Sequence, residues 1–295
     1  MVTRVTNTCY QRNGWDVSER NGTLHMSEHH HHVLAGSCDD DASWPVMICL
    51  LGNFRLLVAG ELILIRAGGK REALLAHLAL QSGRRVARER LVQTLWPAND
   101  LALGLNSLNN LVYQLHKLLS PALQGAAPVL HQEGYYRLNI EAGIGVDVAC
   151  FDLLVETGDR RIQAGEVAAG LMAYRRAAEV YRDDLSLLTD AHTVVERERL
   201  RARYLTLLIQ IAERSYHAGD YSVALECLWR LLARDPCRED AHRLVMRCFV
   251  RRGERAAALH QYHVCADLLR AEFEIAPEPE TVTLFEQIRA HPDHI

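Results

Sequence analysis

The chain has 295 residues, 49% of them hydrophobic and 24% charged, which excludes disorder throughout and leaves room for about two domains of ordinary size. No run approaches the roughly 20 apolar residues of a membrane helix, and the N-terminal segment lacks the apolar core of a signal peptide, so a soluble cytoplasmic protein with no membrane contact is expected. The net charge of −4 excludes a wholly basic nucleic-acid coat, but residues 45–143 carry ten Lys and Arg against six Asp and Glu while both flanks are acidic.

Residues 1–44 are polar, rich in Asn, Ser, Asp and His, and show neither helical nor strand periodicity; a flexible extension is expected. Within it His29, His30, His31 and His32, with His25, Cys38, Asp39, Asp40 and Asp41, have the chemistry of metal ligands, but a solvated low-complexity tail fits them as well. No metal site is assigned. The eight cysteines include no C-x-x-C pair and mostly fall inside apolar helical patterns, which points to small hydrophobes in a reducing compartment rather than zinc ligands.

From residue 46 to 66 the pattern is of short β-type runs, with Ala59-Gly60 as the turn between 54–58 and 61–66, so a small antiparallel sheet is expected. Helical patterns follow at 70–81, 87–95 and 103–119, separated by Ser82-Gly83 and by Trp96-Pro97-Ala98-Asn99-Asp100. Runs at 129–132 and 135–140 around Glu133-Gly134 then read as a hairpin. Beyond Val146 the chain reads as helix after helix to about residue 290, with a short tail at 291–295, and it repeats. Gly219-Asp220-Tyr221 recurs as Gly253-Glu254-Arg255, and Ala224-Leu225 as Ala258-Leu259, a displacement matching the 34-residue period of tetratricopeptide helix pairs. Gly165-Glu166, Tyr174 and Ala177 mark an earlier unit, separated from the next by a longer insertion over 183–193.

The third helix carries the functional argument. Leu105, Leu108, Leu111, Val112, Leu115 and Leu119 form one apolar stripe that must pack on the first two helices. Asn106, Asn110, Tyr113 and Lys117 lie opposite, flanked by Asn109, Gln114 and His116, and no Asp or Glu occurs from Leu101 to Leu119. Asn and Gln amides match the N6 and N7 edge of adenine in the major groove, and Lys117 suits phosphate or guanine. An ordinary solvated helix face would carry similar residues, although such a face usually mixes both signs of charge. Arg84, Arg85, Arg88 and Arg90 cluster around the start of the second helix, where free backbone N–H groups also favour phosphate.

The run Arg84-Arg85-Val86, Leu91-Val92, Leu95-Trp96-Pro97, then Leu108-Asn109-Asn110-Leu111, Leu115-His116-Lys117-Leu118-Leu119 and Gly134-Tyr135-Tyr136-Arg137-Leu138 resembles the OmpR-type winged helix, most closely that of SARP or AfsR-like activators. Val146-Asp147-Val148 with Phe151 resembles that family's join to its second domain. Glu196-Arg197-Glu198-Arg199-Leu200, Gly219-Asp220-Tyr221, Asp235-Pro236 and 239–246 are similar to its bacterial transcriptional activation domain. The resemblance implies a mainly α fold with a small β component: a winged helix-turn-helix over 45–143 followed by a TPR-like helical domain over 144–290. It further implies a third helix in the major groove and a wing at the minor groove, with His131 where related wings often place arginine. Binding to promoter direct repeats, often as a homodimer, and recruitment of RNA polymerase follow from the same resemblance.

The expectation is therefore a DNA-binding transcriptional activator that needs no cofactor, with Arg84, Arg85, Asn106, Asn109, Asn110, Tyr113, Gln114, His116, Lys117 and His131 contacting duplex DNA. The competing reading is a protein-interaction adaptor that binds through the repeat groove and keeps a degenerate winged helix. Catalysis is not expected, because no His, Asp or Glu forms a spaced constellation with a nucleophile. Ala67-Gly68-Gly69-Lys70 lacks the earlier glycine and the following hydroxyl of a phosphate-binding loop.

Overall fold

A computed structural model describes residues 44–81, 83–98, 100–186 and 191–290. The expected extension up to residue 43, its His and Asp cluster and the 291–295 tail lie outside the described residues. Among the described residues no helix is long and apolar enough to cross a membrane.

Strands β1 (Val46–Cys49), β2 (Arg55–Val58) and β3 (Glu61–Ile63) form an antiparallel meander. Its tight turn has positive φ at both Ala59 and Gly60, which matches the twist of a two-residue hairpin. Three helices follow, α1 (Lys70–Leu80), α2 (Arg88–Leu95) and α3 (Leu101–Leu119), then the hairpin β5 (Val129–Gln132) and β6 (Tyr135–Leu138). Glu133-Gly134 repeats the positive-φ pair at that hairpin's turn.

Two strands were not legible in the sequence. Val86 and Ala87, expected around the start of the second helix, form β4 and pair with Tyr136 and Tyr135, making the wing three-stranded in the order β4-β6-β5. Strand β7 (Ile144–Val146) runs parallel to β1, so the first sheet has four strands in the order β3-β2-β1-β7 and is not purely antiparallel. The sheet thus continues past residue 143. Shorter departures have local causes: α3 begins at Leu101 because the Asp100 carboxylate accepts from Ala102 N at 3.1 Å, satisfying one of the helix's free donors.

The second half is a stack of antiparallel helix pairs, α4 (Asp147–Gln163) with α5 (Val167–Val180), α6 (Ala191–His217) with α7 (Tyr221–Leu232), and α8 (Glu239–Arg251) with α9 (Arg255–Phe273), closed by α10 (Pro279–Ala290). The repeated glycines are the turns inside these pairs. Gly165, Gly219 and Gly253 have φ of 84°, 79° and 77°, a left-handed backbone that a side chain would strain. The acidic residue after each donates its backbone N–H to the carbonyl five residues back: Glu166 to Arg161, Asp220 to Ser215 and Glu254 to Phe249, at 2.8 to 2.9 Å. Ala224 and Ala258 are fully buried, as close helix contacts require. Cys49, Cys150, Cys227, Cys248 and Cys265 are buried too; burial pushes Cys49 and Cys248 up to about 11 and Cys265 to about 12, so these thiols act as small apolar groups.

The two halves share one continuous apolar core. Asp147, the first residue of α4, is 3% exposed and is their polar link. Its carboxylate accepts from Leu50 N at 2.8 Å, Leu51 N at 2.9 Å and Val148 N at 2.9 Å, tying the end of β1 to the start of the helical stack. A second tie comes from the insertion, where Leu185 bridges to Leu51 and Gly52 and the Ser186 hydroxyl donates to the Gly52 carbonyl at 3.0 Å.

Candidate nucleic-acid interface

Helix α3 sorts its residues as its periodicity demands. Leu108, Leu115 and Leu119 are fully buried, Leu105, Leu111 and Val112 pack half-buried against the same core, and Gly104 is buried against α2. A Cβ on Gly104 would lie 2.2 Å from Val92 Cγ1, so only glycine allows the two helices to sit this close. On the opposite side Asn106, Asn109, Asn110, Tyr113, Gln114, His116 and Lys117 are all exposed. Tyr113 is 67% exposed, which for so large a ring marks it as available for contact.

Three of these amides already have partners. The Tyr136 hydroxyl on β6 donates to Asn109 Oδ1 at 2.8 Å, so Asn109 is shared between this face and the wing. Gln114 Nε2 reaches Asn110 Oδ1 at 3.4 Å, a long bond that leaves both groups free to reorient.

The basic residues divide differently from the sequence expectation. Arg84 and Arg85 are exposed but lead into β4, not into α2, because Val86-Ala87 is claimed by the wing sheet. Arg85 therefore lines a shallow cleft with the wing residues Leu130, His131, Gln132, Tyr135 and Arg137. Arg88 opens α2 and its guanidinium contacts Glu89 at 2.7 Å, a solvent-exposed pair of little energetic weight. Arg137 is paired with Glu141 at 2.8 Å. His131 is exposed on β5, with its ring stacked on Tyr136 at 4.3 Å and 13° between planes. The structure thus places the seven α3 residues on one face and gathers Arg85 with His131 at the wing. Tyr136 is the member of this surface that sequence reasoning did not single out as a site residue; its two partners lie 5 and 27 positions away in the chain, beyond any helical spacing.

Among the described residues no group of three or more His, Cys, Asp or Glu is placed to hold a metal ion. What this surface offers is amide donors and acceptors, the exposed Tyr113 ring on α3, the Tyr135 and His131 rings at the wing and a modest positive charge.

Comparison with known proteins agrees with this architecture. A family model described as the bacterial transcriptional activator domain matches residues 146–289. The regulatory protein AfsR of Streptomyces coelicolor is 26% identical over 251 residues, covering 85% of this chain, and the chain spans only 25% of AfsR. The regulatory protein DnrI of Streptomyces peucetius is 28% identical over 210 residues, covering 68% of this chain and 76% of DnrI. The fold is also that of Mycobacterium tuberculosis EmbR, solved in complex with a low-affinity phosphopeptide, with a TM-score of 0.67 at 21% identity over 83% of this chain and 65% of that one. Residues 146–289 thus match the bacterial transcriptional activator domain, and most of the chain is similar to SARP/AfsR-like transcriptional regulators.

Proposed function

We propose that the chain is a cytoplasmic DNA-binding transcriptional activator that lays α3 in the major groove, rests the wing against the neighbouring minor groove, and binds promoter direct repeats as a homodimer that recruits RNA polymerase. The observation that supports this most is the α3 surface, where seven polar or basic side chains are exposed on one face of a helix that carries no acid along its length. A helix of this diameter fits the major groove, and amide side chains there can read base edges. The Arg85 and His131 cleft lies where backbone phosphates would approach a wing. With no arginine on α3 and Lys117 as its one Lys or Arg, the electrostatic share of affinity is small, so binding should depend more on base contacts and on a second subunit than on salt.

The test separates base reading from charge. Asn110→Ala is expected to weaken binding to a specific duplex by about 1–3 kcal/mol and to leave binding to an unrelated duplex nearly unchanged. Lys117→Ala is expected to weaken both and to reduce the slope of log affinity against log salt by about 1. Gel shifts across a salt series read both quantities. Equal loss on both duplexes for Asn110→Ala removes its base-reading role.

A further inference from the structure

Tyr136 belongs to the wing by its backbone and to α3 by its hydroxyl. It sits in the middle strand of the wing, opposite Val86 on one side and His131 on the other. Its side chain is almost wholly covered at 3% exposure. The ring is stacked under His131, and the hydroxyl crosses to α3, donating to Asn109 Oδ1 at 2.8 Å. A phenol here keeps its proton at neutral pH, since burial raises its pKa above the ordinary 10. An Asn amide has one oxygen, with two lone pairs that accept, and one NH2 that donates; the bond from Tyr136 turns the oxygen toward the wing and the NH2 away from it. With the oxygen turned toward Tyr136, the NH2 is the group that exposed Asn109 presents outward.

We infer that Asn109 acts as a hydrogen-bond donor to an acceptor on duplex DNA, and that Tyr136 is the positioning residue that fixes its amide in that orientation. This rests on the DNA-binding reading above and refines it: Asn109 departs from the adenine-reading pattern that its residue type suggests, while Asn106 and Asn110 retain theirs. The acceptor is either a phosphate oxygen or a base acceptor such as guanine O6 or N7. The arrangement also couples the wing to the helix, because a shift of β6 moves the hydroxyl and so releases the amide.

The experiment uses the full chain with two probes, a duplex enriched by the wild-type chain from a random pool and an unrelated duplex of equal length. Tyr136→Phe keeps the ring and its stack on His131 while deleting one hydroxyl, and its unfolding midpoint is expected to stay close to wild type. It should weaken binding to the enriched duplex about fivefold. Asn109→Ala should weaken it on the order of tenfold, and adding Tyr136→Phe to Asn109→Ala should change nothing further. A loss by Asn109→Ala on both duplexes assigns the acceptor to phosphate; a loss on the enriched duplex alone assigns it to a base. Losses that multiply in the double variant, or an unchanged affinity for Tyr136→Phe, overturn the inference and leave DNA binding standing. A wild-type chain that enriches no duplex overturns both.

Discussion

Asp147→Ala is expected to lower the stability of the whole chain by about 3 kcal/mol, a large loss for one polar side chain. The carboxylate is the buried acceptor for Leu50 N, Leu51 N and Val148 N, and alanine removes the partner of all three donors. Because these bonds join the β1 end to α4, denaturant unfolding should broaden or split into two steps as the halves uncouple. Asp147→Asn keeps one accepting oxygen but turns an NH2 toward backbone donors, and should cost less than alanine. Burial outweighs the backbone hydrogen bonds and pushes the Asp147 carboxyl up to about 6, against about 3.9 in an unfolded chain. The folded state therefore holds a proton that the unfolded state has released between those values. The proton-linked part of this group's stabilisation, of order 3 kcal/mol, is complete below about pH 4 and is lost as pH rises through about 6, whereas the hydrogen bonds accepted from Leu50, Leu51 and Val148 are kept. Unfolding midpoints across that window, compared with Asp147→Asn, should show the wild-type slope and its absence in the variant.

The second large effect is expected at Gly104→Ala. The added methyl would meet Val92 Cγ1 at 2.2 Å, and Val92 is 1% exposed, so it has no space into which to turn. Overpacking of this kind costs about 1–3 kcal/mol, against up to about 1 kcal/mol gained from replacing glycine inside a helix. A net loss of up to about 2 kcal/mol follows once the full helix gain is subtracted, and relief comes only if α3 pivots away from α2, which carries the exposed amide face with it. Val92→Ala in the Gly104→Ala background removes the clashing methyl groups and should restore both the unfolding midpoint and DNA affinity. Recovery of neither would show that Gly104 matters for something other than helix approach.

Much of the fold was legible because it is local. The α3 stripe of Leu108, Leu115 and Leu119 repeats at helical spacing, the hairpin turns are marked by Ala59-Gly60 and Glu133-Gly134, and the repeat turns by Gly219 and Gly253. What was not legible depends on partners far along the chain. Strand β4 is two residues long and exists only because Tyr135 and Tyr136 return to pair with it. Strand β7 pairs with β1 across roughly a hundred residues, and Asp147 reaches Leu50 over a separation of 97. The candidate site divides along the same line. Exposure of Asn106, Asn110, Tyr113 and Lys117 follows from position on one helix face, whereas the engagement of Asn109 by Tyr136 and the transfer of Arg85 from helix start to wing are tertiary.

The α3 face is proposed to read DNA sequence. Repeated selection of duplexes from a random pool by the full chain is the test of that reading. Enrichment of a short motif occurring twice in the same orientation is expected, with Asn110→Ala losing preference at defined base positions of that motif. A final pool no richer in any motif than the starting one, or a motif unchanged by Asn110→Ala and the other α3 substitutions, would contradict it.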